Sequence, residues 1–118
     1  MTTSVVGRSA FLALRKDGMR FGSRTVRLVY RATDDDFRVA FAIGRSFGHA
    51  VDRNRARRRL RHAVDEAVRM ISDQPGLGRP TGDALLSASR RALDVPFDEL
   101  VTELTELLAR TRSQASLG

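Results

Sequence analysis

The chain has 118 residues, 42% of them hydrophobic, which suits a single domain (1–118) with one modest core. The absence of cysteine excludes disulfide scaffolds, thiolate metal sites and cysteine nucleophiles, and two histidines, His49 and His62, argue against a zinc site. A formal net charge of +7, no apolar run near the ~20 residues of a membrane span, and a mixed opening segment unlike a signal peptide lead us to expect a soluble, cytoplasmic, polyanion-binding protein.

In chain order, Ser9 is placed to cap a short helix whose apolar residues Ala10, Phe11 and Leu14 end before Gly18. Residues 17–24 read as a loop. Thr25 to Ala32 is rich in strand formers, and the run Asp34-Asp35-Asp36 reads as a turn into a second strand, Phe37 to Gly44. That strand alternates. Phe37, Val39, Phe41 and Ile43 point to a core face, while Arg38, Ala40, Ala42 and Gly44 form a small opposite face with room for something to lie on it. A long helix is expected over roughly 50–73, with Leu60, Ala63, Val64, Ala67, Val68 and Ile71 on one stripe. Residues 74–82, with three glycines and two prolines, form a connecting loop. A short strand over 83–89 follows, then a helix over about 97–111 and a frayed tail, 113–118. Phe47 and Phe97 read as core.

Charge is unevenly placed. Residues 1–62 hold fifteen basic and five acidic residues, a net of +10, and residues 63–118 hold six and nine, a net of −3. Twenty of the 21 bases are arginine, and an arginine-rich composition does not explain this asymmetry. Nucleic acid is favoured over a membrane, because no basic amphipathic helix with exposed Phe or Leu is evident.

The two long helices differ in how they meet their dipoles. The last has Asp98 and Glu99 near its start and Arg110 and Arg112 at its end, the favourable arrangement. The middle helix is reversed: Arg53, Arg55, Arg57, Arg58, Arg59 and Arg61 crowd its first turns. Each misplaced charge costs about 0.3–1 kcal/mol, and like charges at i, i+4 add a few tenths each. A sequence that keeps such a cluster is arranged for phosphate, which the free amides and arginines at that terminus would bind together. On a helical wheel Arg53 and Arg57 fall within the apolar stripe, ahead of its first large residue, and are expected to overhang the sheet.

The run from Arg38 through Gly44-Arg45-Ser46-Phe47-Gly48-His49-Ala50-Val51-Asp52-Arg53-Asn54-Arg55 to Arg58 resembles the signature of the bacterial ribonuclease P protein family. There a strand leads to a small-Lys-Lys/Arg element, Gly-Asn-Ala-Val, and an Arg-Asn-Arg helix. The match is gapless from Arg38 to about Val64, and Phe11, Leu14 and Gly18 keep the family's N-terminal spacing. Weaker likeness covers Asp83 to Ala88 and the last helix.

The resemblance implies an α/β (α+β) two-layer sandwich of order α-β-β-β-α-β-α, similar to the second domain of a small-subunit ribosomal protein, with a left-handed β-α-β crossover. Physical reasoning alone expects a right-handed one. Only two early strands are evident, so the third is short or hidden within 19–31. The resemblance also implies a catalytic RNA subunit that performs the cleavage with bound Mg2+, while the protein, monomeric when free, binds that RNA and the 5′ leader of precursor tRNA. Carried over by position, Arg45, Arg53, Asn54, Arg55, Arg57, Arg58 and Arg61 are the RNA-subunit-binding residues. Phe11, Arg15, Tyr30 and Arg38 are the leader-binding ones. No catalytic or metal-binding residue is expected in the protein, and no DNA or membrane partner.

Four positions depart from the family pattern: Arg15 replaces an aromatic, Ser46 a lysine, His49 an asparagine, and Asp52 a neutral or basic residue. Asp52 is expected to cap the helix or complement its dipole, since its carboxylate can accept from first-turn amides. A nuclease centred on His49, Asp52 and His62 is disfavoured, since thirteen helical residues separate the histidines by nearly 20 Å. A non-catalytic RNA-binding protein of the ribosomal type is the alternative, set apart only by the Arg-Asn-Arg context. Helix-turn-helix and zinc patterns for DNA are lacking. If the arginine cluster binds RNA electrostatically, affinity should fall with salt at a log–log slope of about 0.7 per single-strand phosphate neutralised; a flat response in a filter-binding titration would contradict this.

Overall fold

The computed structural model describes the backbone of residues 3–4, 8–44, 47–76 and 78–117, and the side chains of 12–44, 47–76 and 78–112. The elements are β1 (Thr3–Ser4), α1 (Arg8–Asp17), β2 (Met19–Gly22), β3 (Val26–Asp36), β4 (Arg38–Phe41), α2 (Ala50–Ser72), β5 (Thr81–Ala88), α3 (Arg91–Asp94) and α4 (Phe97–Leu117). The expected order α-β-β-β-α-β-α is present, with a two-residue strand added in front and a short helix before the last one.

One sheet carries the strands in the order β1-β4-β5-β3-β2. β5 is antiparallel to β3 and parallel to β4, and α2 forms the crossover between the adjacent parallel strands β4 and β5. Two expectations change here. The acidic run does not form a turn: β3 continues through Asp36, and the chain reverses at Phe37. Residues 17–24 are not all loop, because Met19–Gly22 pairs with Arg27–Tyr30 as an edge strand and supplies the third early strand. α1 also includes Ser9, which lies inside its first turn, and α4 runs six residues past 111.

α2 and α4 cover one sheet face. Val26, Leu28 and Tyr30 of β3, Val39 of β4 and Leu86 of β5 meet Leu60, Val64, Ile71, Leu100, Leu104 and Leu107 in the main core. Ala56, Ala63 and Ala67, all fully buried, let α2 approach closely. Phe47 joins this core, whereas Phe97, at the start of α4, stays 39% exposed and is not a core residue. Among the described residues no helix is long and apolar enough to cross a membrane.

α1 covers only part of the opposite face. Leu14 packs there on Leu85, with Val29, Ala40 and Ala42 around them. This close docking requires Gly18, which ends the helix and whose amide donates to the Leu14 carbonyl at 2.9 Å. A Cβ on Gly18 would stand 2.4 Å from that carbonyl oxygen and 2.5 Å from Cγ1 of Val29. Gly18→Ala should therefore lever α1 off the sheet, with a loss of about 1–3 kcal/mol, the usual cost of overpacking, read as a lower midpoint in urea denaturation.

Candidate nucleic-acid interface

Burial of Ala56, Leu60 and Ala63 fixes the rotation of α2, and so the direction of every arginine on it. Asn54, Arg55, Arg58 and Arg61 are exposed, whereas Arg53 and Arg57 are half-buried. Val51, Asn54, Arg57, Arg58 and Arg61 line an open depression of about 480 Å³. Within it Arg57 donates to Oδ1 of Asn54 at 3.2 Å, and the Arg61 guanidinium lies 5.8 Å from the centroid of the Phe41 ring. The depression thus offers guanidinium groups partly held in place and a helix N-terminus beside them, a combination suited to phosphate. Arg45 lies outside the described residues.

Arg59 serves another purpose. It donates to the carbonyls of Ala92 and Val95 at 2.5 and 2.6 Å, tying α2 to the C-terminal end of α3. Asp52 is not the cap: the N-cap residue of α2 is His49, whose side chain makes no capping hydrogen bond, and the Asp52 carboxylate, in the first turn where an acid suits the dipole, lies 3.6 Å from Arg90. Arg90 donates to the Phe47 carbonyl and rests over the Phe47 ring at 5.7 Å. Gly48, at φ +123°, makes room for it, since a Cβ there would meet Arg90 Nη1 at 2.6 Å. Asp52 and Arg90 therefore fasten the turn that leads into the arginine helix, which a cap on its own helix would not do.

The second surface is the sheet face beside α1. Directly opposite residues on neighbouring strands share a face, so the register sets out its rows. Arg20, Val29, Leu85 and Ala40 form one; Gly22, Arg27 and Ser87 a second; Arg31, Asp83 and Arg38 a third. Small and apolar side chains make the floor, with arginines around it. Arg15, near the end of α1, is exposed. Phe11 belongs to α1, but its side chain lies outside those described. Arg38 donates from Nε and Nη2 to the two oxygens of Asp83 at 2.8 and 2.9 Å. Its guanidinium is held protonated above its ordinary range, first by hydrogen bonding to that carboxylate and then by its charge.

Tyr30 is not on this surface. It is 3% exposed and points into the main core, where its hydroxyl donates to the Thr81 carbonyl at 2.6 Å. Burial pushes the Tyr30 hydroxyl pKa up, only partly offset by that hydrogen bond. Its neighbour Val29 takes the place facing α1. Arg20, Arg27 and Arg31 are the members sequence reasoning missed, although Val26/Leu28/Tyr30 against Arg27/Val29/Arg31 is an alternation that assigns two of them.

The acids and histidines weighed for a nuclease do not come together among the described residues. His49 and His62 stand at either end of three helical turns of α2, Asp52 is engaged by Arg90, and Asp34 to Asp36 spread along β3. Among the described residues no three His, Asp or Glu side chains converge as metal ligands would.

The profile of the Ribonuclease P family matches residues 2–112. The chain is 37% identical over 105 residues to the ribonuclease P protein component of Symbiobacterium thermophilum, covering 87% of this chain and 85% of that one. It is 36% identical over 102 residues to that of Acidothermus cellulolyticus, covering 83% and 84%. Among solved structures, the ribonuclease P protein of Thermotoga maritima superposes with a TM-score of 0.73 at 23% identity, covering 91% of this chain and 96% of that one. That of Staphylococcus aureus gives 0.68 at 18%, covering 94% and 96%. The two structures share the fold.

The division among the arginines is measurable. Arg59→Ala should lower stability by about 1.5–3 kcal/mol, the range for hydrogen bonds to a charged group. Arg58→Ala, at an exposed position, should leave the denaturation midpoint nearly unchanged and weaken RNA binding.

Proposed function

The chain belongs to the ribonuclease P protein family, whose members are subunits of an endoribonuclease that processes tRNA, and from that premise we propose how its two basic surfaces divide the work. The α2 surface, with Arg53, Asn54, Arg55, Arg57, Arg58 and Arg61, binds the RNA subunit, and the family resemblance adds Arg45 to that set. The sheet face beside α1, with Phe11, Arg15 and Arg38, receives the 5′ leader of precursor tRNA. The observation that carries this reading is the alternation of β4. Val39 and Phe41 pack toward α2, where Arg61 lies over Phe41, while Arg38 and Ala40 face α1. One strand therefore contributes to both surfaces, Phe41 to the one and Arg38 and Ala40 to the other.

The mechanism is binding and placement. Arginines on α2 neutralise phosphates and release counterions, the main source of affinity for a polyanion. The α1 face meets the leader, which mature tRNA no longer has. Contacts there favour precursor over product, so the protein adds discrimination to a cleavage carried out by the RNA. Mg2+ belongs in this reading to the RNA subunit, where it supplies charge stabilisation at the reacting phosphate; the protein alone is inactive. The setting is the cytoplasm.

Reconstitution tests this. Protein added to the RNA subunit at low Mg2+ should restore removal of the leader from precursor tRNA, and the protein alone should cut nothing. Cleavage without RNA would support a nuclease, and no stimulation would support the ribosomal-type alternative. Replacing both Arg53 and Arg57 by alanine should weaken RNA-subunit binding, whereas Phe11→Ala should mainly reduce the preference for leader-bearing substrate.

A further inference from the structure

Asp83 is an unusual residue to find at the centre of a sheet. It lies on β5 between β3 and β4, is 0% exposed, and both its carboxylate oxygens accept hydrogen bonds from Arg38, whose side chain is 27% exposed. A buried ion pair is a poor source of net stability compared with apolar packing, so its value lies in what it holds in place. Two donors of Arg38 are engaged by Asp83. The fork is thereby fixed in one orientation on the α1 face, with Nη1 outside the pair.

Arg31 stands on the other side of Asp83, directly opposite it in register on β3, half-buried and in none of the ion pairs described. With strands about 4.8 Å apart, the Cα atoms of Arg31 and Arg38 are about 10 Å apart across β5. Two guanidinium groups therefore flank one carboxylate whose charge is already matched. The row carries a surplus of one positive charge, the complement of a single phosphodiester.

We propose that Arg31 and Arg38 form a two-pronged site for one phosphodiester of single-stranded RNA, with Asp83 as the positioning residue that aims Arg38. The inference rests on the reading of the α1 face as the leader surface, and it adds a fixed phosphate position to it. The remaining donors of Arg38 approach the phosphate from β4 and Arg31 approaches from β3, while Asp83 stays beneath them and touches no RNA.

The experiment uses the reconstituted holoenzyme and precursor tRNAs whose leader linkages are replaced, one at a time, by neutral methylphosphonates. With the unmodified protein, one linkage should weaken binding about tenfold, the scale of a charge-assisted hydrogen bond, and the others much less. In Arg31→Ala holoenzyme, precursor binding should be about tenfold weaker and the same linkage should become silent. Asp83→Asn should give a smaller loss at that linkage, and Arg38→Ala added to it should cost nothing further, although Arg38→Ala alone weakens precursor binding. Binding of leaderless tRNA and of the RNA subunit should not change, a result that general loss of structure would not produce. Arg31→Ala, at a half-exposed position, tests the site even if Asp83→Asn fails to fold.

The proposal is overturned if Arg31→Ala keeps full sensitivity at every linkage, or if it weakens leaderless tRNA equally, which would place its phosphate in the tRNA body or the RNA subunit. Should the unmodified holoenzyme show no preference for a leader at all, the leader-surface reading itself fails, a result distinct from either of these.

Discussion

The sheet has two faces, and the chain has helices enough to cover only one of them fully. α2 and α4 bury the first behind a continuous layer of leucine, valine and alanine. On the second, α1 contributes Leu14 to a small cluster and leaves the rest lined by Val29, Ala40, Ala42 and arginines. Large apolar side chains on a bare sheet face would make a sticky patch that soluble proteins rarely expose. Small residues with charged ones around them keep it open instead, and the leader surface proposed for the protein depends on that incomplete cover.

Arginine is used here for several different tasks, and position on an element decides which. On α2 a single turn holds Arg58, directed to solvent, and Arg59, bound to the carbonyls that end α3. Arg90 holds the turn before α2 through a carbonyl, a carboxylate and an aromatic ring. Arg38 is locked to a buried carboxylate. The planar fork of arginine suits each of these, since it satisfies two acceptors at once and stacks on rings as lysine cannot. Net charge alone therefore overstates how much of the molecule is free to meet RNA.

Most of the architecture was legible in the sequence, and the omissions have physical causes. α2, α4 and the cores of β3, β4 and β5 carry strong periodicity, and the two faces of β4 could be read from its alternation alone. The insertion of β5 between β3 and β4 could not, because a tight reversal between two strands looks like a hairpin whichever strand later fills the gap. β2 escaped notice because an exposed edge strand needs little apolar pattern; only Phe21 among its four residues is even half-buried. Tyr30 was assigned to the wrong surface by one position, and in a strand one position is the whole difference between core and solvent. The role of Arg59 depends on α3, a single turn with no periodicity to announce it, and the pairing of Asp83 with Arg38 joins residues 45 positions apart.

The arginine helix has a consequence for the life of the protein before it meets RNA. Its first turns carry like charges against the helix dipole, and the one acid among them, Asp52, is occupied by Arg90. A polyanion relieves that repulsion only in the folded state, where the arginines are gathered on one side, and so draws the folding equilibrium toward the native form in proportion to its concentration. With RNA bound there as proposed, the amount of folded protein in a cell would be tied to the supply of that RNA. Copies made in excess are the less stable ones and the first exposed to proteolysis, so the balance between protein and RNA is set in part by the fold itself.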